Sequence, residues 1–319
     1  MTETTPERPA GATRLSVLAP RVRDQANRLA AVFQGAQPFQ HFVVDGFFTA
    51  EFADRLLAEF PPFEAGNNRN EAGLEGRKAV FERVRRLGPA FAALDDLVRS
   101  AEFLALLGRI TGIRDLRYDP DYVGGGTHES RHGQELDPHV DFNRHPHTRW
   151  HRRLNLIVYL NRDWRDEWGG SLELHSNPRA ADDRVTLITP AWNRGVLFET
   201  NEISWHGFAR IALPADQRHL SRRSVALYFY TEERDAVAGT HSTIYVDRPL
   251  PDRFQPGRVL APEDLEELRL LLARRDQHNQ RLYAELTDLR TRLDGVIGKG
   301  AIGQLRYFAN RLLHRLRHR

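Results

Sequence analysis

His139 and Asp141 alternate in Pro138-His139-Val140-Asp141, and a third candidate ligand, His206, stands far downstream in Trp205-His206-Gly207. On an extended strand, residues i and i+2 project to the same side. His139 and Asp141 can therefore reach one metal ion without distorting the backbone, and a histidine from a later strand would complete one face of an octahedron. Two imidazoles and one carboxylate on a single face leave the opposite face open, the arrangement that suits non-haem iron(II) chemistry. By itself a His-x-Asp pair says little in a chain with 14 histidines. The residues downstream of it say more.

Arg222 stands at the mouth of the apolar stretch Ser224–Tyr230. A guanidinium matches a carboxylate with two parallel charge-assisted hydrogen bonds, so an inward arginine here would hold an acidic ligand beside the metal. Tyr159, on the apolar stretch Leu154–Leu160, offers a phenol hydroxyl to the same carboxylate. Alternation allows only one of Arg222 and Arg223 to face the interior.

Other histidines compete for the role. His145, His147 and His151 form a second cluster, but Pro146 and the neighbouring arginines read as an exposed loop. Glu173 and His175 alternate on a strand with no third partner in view. His128 and His132 follow Gly124-Gly125-Gly126 in what reads as a rim loop. Tyr122, Phe142, Trp150, Trp164 and Trp205 could supply an aromatic rim for a peptide or a ring.

These groups need a scaffold. Residues 1–12 read as disordered, and residues 13–115 as a helical buttress with short strands. The buttress includes helices over Leu15–Phe33, Ala50–Phe60 (Thr49 as N-cap) and Pro89–Leu107, a strand over Phe39–Asp45, and a mobile loop rich in Gly and Asn over Gly66–Gly76. Residues 116–250 change texture to short strands rich in β-formers and separated by turn residues, which predicts a sandwich or barrel, the jelly roll among them. Helical periodicity returns over residues 262–294. There Leu265, Leu268, Leu272, Leu282, Leu286, Leu289 and Leu293 fall on the a and d positions of a heptad, with Arg275 and Asn279 in the same seam. That pattern fits either a helix packed on its own core or a homodimer through residues 263–293. Residues 295–319 form a basic amphipathic tail. Such a tail is more commonly a solvated end than a contact with an anionic membrane surface.

Composition narrows the classes. Charged residues at 28% and hydrophobic ones at 40% fit a globular protein. With no cysteine, thiolate metal sites and cysteine nucleophiles are excluded. A net charge of only +3 gives no reason to expect nucleic-acid binding. The start of the chain lacks the basic and apolar regions of a secretory signal, so a cytoplasmic location is expected.

The stretches Leu136–Asn143, Arg153–Trp164, Glu167–Leu174, Ser204–Gly207 and Arg222–Thr231 occur in that order. Together they resemble the prolyl 4-hydroxylase-like branch of the iron(II)/2-oxoglutarate-dependent dioxygenases, over roughly residues 39–231. The resemblance implies an α+β, mainly β fold. Its core would be a double-stranded β-helix (jelly roll) with flanking N-terminal helices, to which this chain adds a C-terminal helical extension. It also implies His139, Asp141 and His206 as iron ligands, Arg222 as the partner of the distal carboxylate of 2-oxoglutarate, and Tyr159 as its assistant. The cofactors would be Fe(II), 2-oxoglutarate and O2, with ascorbate as reductant. The reaction would hydroxylate an aliphatic carbon, in a prolyl residue of a peptide or in a small metabolite such as an amino acid, sugar or lipid. A non-catalytic jelly-roll binding module is the reading from another class. The heptad helix and basic tail lie outside the resemblance.

Overall fold

The computed structural model describes residues 14–69, 75–235, 239–248, 250 and 253–299. The disorder expected for residues 1–12 and most of the basic tail of residues 295–319 lie outside them. By its internal contacts the chain divides after Arg248 into a large unit and a C-terminal one.

Thirteen short strands occur among the described residues. They are β1 (His41–Asp45), β2 (Asn67–Arg69), β3 (Glu75–Phe81), β4 (Arg117–Tyr118), β5 (Gly126–Ser130), β6 (Leu136–Val140), β7 (His151–Tyr159), β8 (Leu172–His175), β9 (Val185–Ile188), β10 (Arg194–Glu199), β11 (Trp205–Phe208), β12 (Arg222–Thr231) and β13 (Ile244–Tyr245). They form two antiparallel sheets. The larger runs β1-β10-β7-β12-β5-β3-β2, with β4 paired to β12, and the smaller runs β13-β6-β11-β8-β9. From β5 to β13 the chain crosses between the sheets at every step except β8 to β9, as in the expected jelly roll.

Each central strand of the larger sheet is apolar on both faces because both are covered. Leu154, Leu156 and Val158 on β7 and Val225, Leu227 and Phe229 on β12 join one core cluster with residues of the helices. The alternate residues Ile157 and Tyr159 face the smaller sheet, packing with Leu172, Leu174, Val196 and Phe198. This alternation fixes which side chains reach the space between the sheets.

The helical layer starts with α1 (Pro20–Arg23) and α2 (Ala26–Gly35), where the sequence pattern predicts a continuous helix over Leu15–Phe33. The break falls at Asp24 and Gln25. Next come α3 (Ala50–Ala58), α4 (Pro89–Val98) and α5 (Ala101–Thr111). The Thr49 hydroxyl caps α3 by accepting from Phe52 N at 3.3 Å, as its sequence position suggests. The expected helix over Pro89–Leu107 is two helices, because the Ser100 hydroxyl accepts from Phe103 N and starts a new one. Phe47, Phe48 and Phe52 stack edge to face at 5.0 and 5.2 Å; truncating one such buried phenylalanine to alanine would cost about 3–5 kcal/mol. The mobile loop expected over Gly66–Gly76 is corrected in part. Asn67–Arg69 and the start of β3 are paired strands, while residues 70–74 lie outside the described residues.

The C-terminal unit holds α6 (Pro262–Lys299), a helix of 38 residues that extends about 57 Å. It continues past residue 294, the expected end. Pro262 opens it, and the Asp264 carboxylate accepts from Ala261 N at 3.0 Å and from Arg253 Nε at 2.9 Å, which satisfies donors at the helix start. Leu265, Leu272, Leu282, Leu286, Leu289 and Leu293 are exposed along it. No helix among the described residues is long and apolar enough to cross a membrane.

Candidate active site between the two sheets

β6 and β11 are neighbours in the smaller sheet, and their register sets His139 directly opposite His206. The two imidazole rings stand 4.3 Å apart between centroids. Asp141, just beyond the end of β6, brings Oδ1 to 3.6 Å from His139 Nε2 and Oδ2 to 3.4 Å from His206 Nε2. The three ligand atoms lie within 4.8 Å of one another. All three residues are largely buried in the space between the sheets.

The orientation of each ring is set by the backbone. His139 Nδ1–H donates to the Asp137 carbonyl at 2.9 Å, and His206 Nδ1–H to the Ser204 carbonyl at 2.9 Å. Each therefore turns Nε2 toward the same point, the outer hydrogen bonding that metal-binding histidines use. Phe198 at 4.8 Å from His206 and Tyr245 at 5.2 Å from His139 pack against the rings.

Electrostatics keep the donors in ligating form. Burial, then the neighbouring His139, pushes His206 down to about 3, so its imidazole is neutral. Burial alone would raise the Asp141 carboxyl, but Arg152, His206 and His139 together hold it well below the usual carboxylate range. Two imidazole nitrogens and one carboxylate on a shared point fit a divalent metal of the iron type.

Arg222 opens β12 with its side chain in the interior. Nε donates to the Gly170 carbonyl at 2.6 Å and Nη2 to the Tyr159 hydroxyl at 3.1 Å, with the Phe208 ring 4.2 Å from the guanidinium. Arg223 faces the other way and pairs with Glu129 at 3.4 Å. Among the described residues Arg222 has no carboxylate partner, although it is 6% exposed. Burial pulls its pKa below the ordinary value, and Tyr159 offsets part of that. A buried guanidinium with a spare donor edge suits an incoming carboxylate. Burial raises the Tyr159 phenol, which stays protonated and can donate to that same carboxylate.

Some expectations need correction. His145 is not part of an exposed loop: it is fully buried, while His147 is exposed. With Asp121 they form a second cluster of metal-type side chains. However, His145 Nδ1 accepts backbone N–H from His147 and Thr148, and Nε2 faces Asp119 Oδ1 at 3.2 Å. The ring proton therefore sits on Nε2, and no lone pair is left for a metal. Glu173 and His175 do have partners, in Arg248 and Asp183. His128 is buried on β5, its Nε2–H donating to the Gly124 carbonyl, rather than solvated on a rim. Of the expected aromatic rim, Tyr122 instead hydrogen-bonds Asp95 beside the helices, and Trp164 packs with Trp168, Phe208 and Ile211. Phe142 lies 4.6 Å from the Arg152 guanidinium.

Sequence reading gave no role to Arg152, Asn155 or Tyr245, all of which touch the triad or its neighbours. Asn155 was findable: alternation on β7 puts it on the same face as Tyr159. Tyr245 was not, because its two-residue strand carries no periodic signal.

Residues 125–230 match the family model described as the 2OG-Fe(II) oxygenase superfamily. Prolyl 3-hydroxylase OGFOD1 of Mus musculus is 24% identical over 229 residues, or 69% of this chain and 37% of that protein. The match thus spans well under half of the relative. Among solved structures, a Trichoplax adhaerens prolyl hydroxylase in complex with a hypoxia inducible factor oxygen degradation domain peptide fragment is 16% identical. It covers 68% of this chain and 96% of its own, with a TM-score of 0.48. A Phytophthora capsici prolyl 4-hydroxylase is 19% identical, covering 83% and 77%, with a TM-score of 0.47. HygX from Streptomyces hygroscopicus, with nickel and 2-oxoglutarate bound, is 15% identical, covering 71% and 96%, with a TM-score of 0.43. The segment that is similar to the 2OG-Fe(II) oxygenase superfamily, residues 125–230, carries the two histidines, the aspartate and the buried arginine of the site.

Proposed function

We propose that this protein is an iron(II)- and 2-oxoglutarate-dependent dioxygenase that hydroxylates an aliphatic carbon, with a prolyl residue of a peptide or protein as its substrate. The observation that carries this reading is the pairing of a buried His-Asp-His donor set with a buried arginine that has no protein carboxylate to bind among the described residues. A structural metal has no need of the arginine, which argues against the non-catalytic binding module.

His139, Asp141 and His206 would hold Fe(II). With 2-oxoglutarate and dioxygen it supplies the oxidation of a C–H bond, giving succinate and carbon dioxide as co-products. The chain's own work is placement. Arg222 and Tyr159 would grip the distal carboxylate of 2-oxoglutarate with two N–H or O–H donors. Ile157 and Leu174 line the space between the sheets with apolar surface, which limits the water that reaches the reacting groups. Ascorbate would serve as the reductant.

The test is iron(II)-dependent formation of succinate from 2-oxoglutarate, followed by a screen of proline-containing peptides and small metabolites. Gain of one oxygen on proline supports the peptide reading. Turnover confined to an amino acid, sugar or lipid assigns a small-metabolite hydroxylase. No succinate at all, from iron-loaded protein, returns the chain to the binding-module class.

We further propose a homodimer through residues 263–293 and a cytoplasmic location. The exposed leucine seam of α6 supports self-association. Glu285 and Arg290 occupy g and following e positions, which complement each other between parallel chains in register, and Asn279 sits at an a position that favours such pairing. The basic tail is read as a solvated end rather than a membrane contact.

A further inference from the structure

The two carboxylate oxygens of Asp141 have different surroundings. Oδ2 accepts from Asn155 Nδ2 at 2.8 Å and lies 3.1 Å from Arg152 Nη2. Asn155 is braced in turn: its Oδ1 accepts from Arg152 Nε at 3.0 Å and from Nη2 at 2.8 Å. The Arg152 guanidinium is itself held, with the Tyr228 ring at 3.6 Å and the Phe142 ring at 4.6 Å, and the residue is 1% exposed. Oδ1 instead faces His139 Nε2 at 3.6 Å, so those two atoms point into one space. Oδ2 is also within 3.4 Å of His206 Nε2. It is near enough to join a metal's coordination sphere, and its two donors are what hold it back.

Resting on the dioxygenase reading, we propose that Asn155, braced by Arg152, is a positioning residue that commits Asp141 Oδ2 to the protein and offers only Oδ1 to the metal. The reason is coordination arithmetic. Two imidazoles, one carboxylate oxygen and two oxygens of 2-oxoglutarate leave a single octahedral position for dioxygen. A chelating aspartate would close that position. A carboxylate whose second oxygen is held by an amide hydrogen bond and an arginine ion pair cannot swing round to chelate without breaking both. Asn155 is well placed for the task, because β7 pairs with both β10 and β12 and lies in the middle of the larger sheet.

The test uses the full chain loaded with Fe(II) and 2-oxoglutarate, with nitric oxide as a stand-in for dioxygen and the iron–nitrosyl signal read by electron paramagnetic resonance. Asn155→Asp keeps the acceptor that Arg152 requires and removes the donor to Asp141; Asn155→Leu removes both at similar size. Both variants should need about tenfold or more nitric oxide to reach the same signal. Their Fe(II) affinity, measured by competition with a fluorescent chelator, should hold or rise, since the freed oxygen adds a ligand atom. A parallel loss of Fe(II) affinity and nitric oxide uptake would assign Asn155 a merely structural role and overturn the proposal. So would an unchanged nitric oxide titration in folded Asn155→Asp, and that outcome leaves the dioxygenase reading standing. A wild-type chain that binds no Fe(II), or gives no nitrosyl signal with 2-oxoglutarate present, removes the reading itself and the proposal with it.

Discussion

Arg222 donates from Nη2 to the Tyr159 hydroxyl oxygen at 3.1 Å across two neighbouring strands of the larger sheet. The phenol proton is not used in that bond and points elsewhere. Two donors therefore converge from β7 and β12, where the register sets Ser224 opposite Tyr159 and Gly170 and Phe208 hold the Arg222 side chain. Asn155, four residues from Tyr159 on the same face of β7, touches Asp141. The arginine end and the His-Asp-His end of the interior are thus separated by about 13 Å along one strand.

Arg222→Ala should raise the KM for 2-oxoglutarate while leaving Fe(II) affinity nearly unchanged. Removing one partner of a buried charge pair costs about 2–5 kcal/mol, so the rise should be about 30-fold or more. Arg222→Lys should fall between, because an ammonium cannot reproduce the two-point grip. Tyr159→Phe removes one neutral donor, worth about 1 kcal/mol, and should raise KM about fivefold. Steady-state succinate assays check all three, and an unaltered KM in Arg222→Ala would reassign the carboxylate to another cation.

Gly170→Ala tests how that arginine is held. Gly170 has φ +70°, and a Cβ there would stand 3.0 Å from Ile211 Cγ1 and 3.2 Å from Arg222 Cδ. The left-handed backbone costs alanine about 1–2 kcal/mol, so Tm should fall by about 2–8 °C. The push on Arg222 Cδ should also raise the 2-oxoglutarate KM, whereas strain alone would leave KM where it was. Calorimetry and the succinate assay separate the two effects.

The donor triad was legible because its chemistry and its spacing both obey strand geometry. His139 and Asp141 sit two apart, and His206 stands in a second strand; only the cross-strand register needed the structure. The choice between Arg222 and Arg223 was not legible. Alternation says that one faces inward, and burial against Phe208 and Gly170 decides which. His145 was misread because Pro146 and the arginines around it look solvent-loving, while Asp119 and two backbone N–H groups supply a buried socket that no local pattern reveals. Asn155 and Arg152 lie in or beside a stretch that resembles the family. Their work depends on a carboxylate from the other sheet, so local sequence could not assign it. Helix starts were readable where a hydroxyl caps them, as at Thr49. The break at Ser100 was hidden inside a run with continuous apolar periodicity.

The β8–β9 hairpin should weaken as the medium becomes alkaline. His175 Nδ1 lies 2.7 Å from Asp183 Oδ2, and Nε2 lies 3.5 Å from Glu173 Oε2. Burial lowers its pKa, but the Glu173 and Asp183 carboxylates beside its two ring nitrogens more than reverse that, so it is raised overall. A histidine with a raised folded pKa stabilises fully below its unfolded value of about 6.5, and that stability is lost as pH rises through the folded value. Wild-type Tm should therefore fall as pH rises above about 6.5 more steeply than that of His175→Asn. Parallel Tm profiles for the two proteins would show that His175 carries no charge in the fold.

Self-association through α6 is tested within the full chain. Leu282 and Leu286 lie at successive d and a positions and are 54% and 43% exposed. A helix that stayed alone would keep about 42 Å of leucine stripe solvated. Leu282→Asp combined with Leu286→Asp puts like charges into the seam of a parallel pair. It leaves a single helix almost unaffected, since both positions are already solvated. Light scattering should give twice the chain mass for wild type and the single chain mass for the double variant, with 2-oxoglutarate turnover retained. A wild-type mass equal to one chain would mean that the leucines face no second copy.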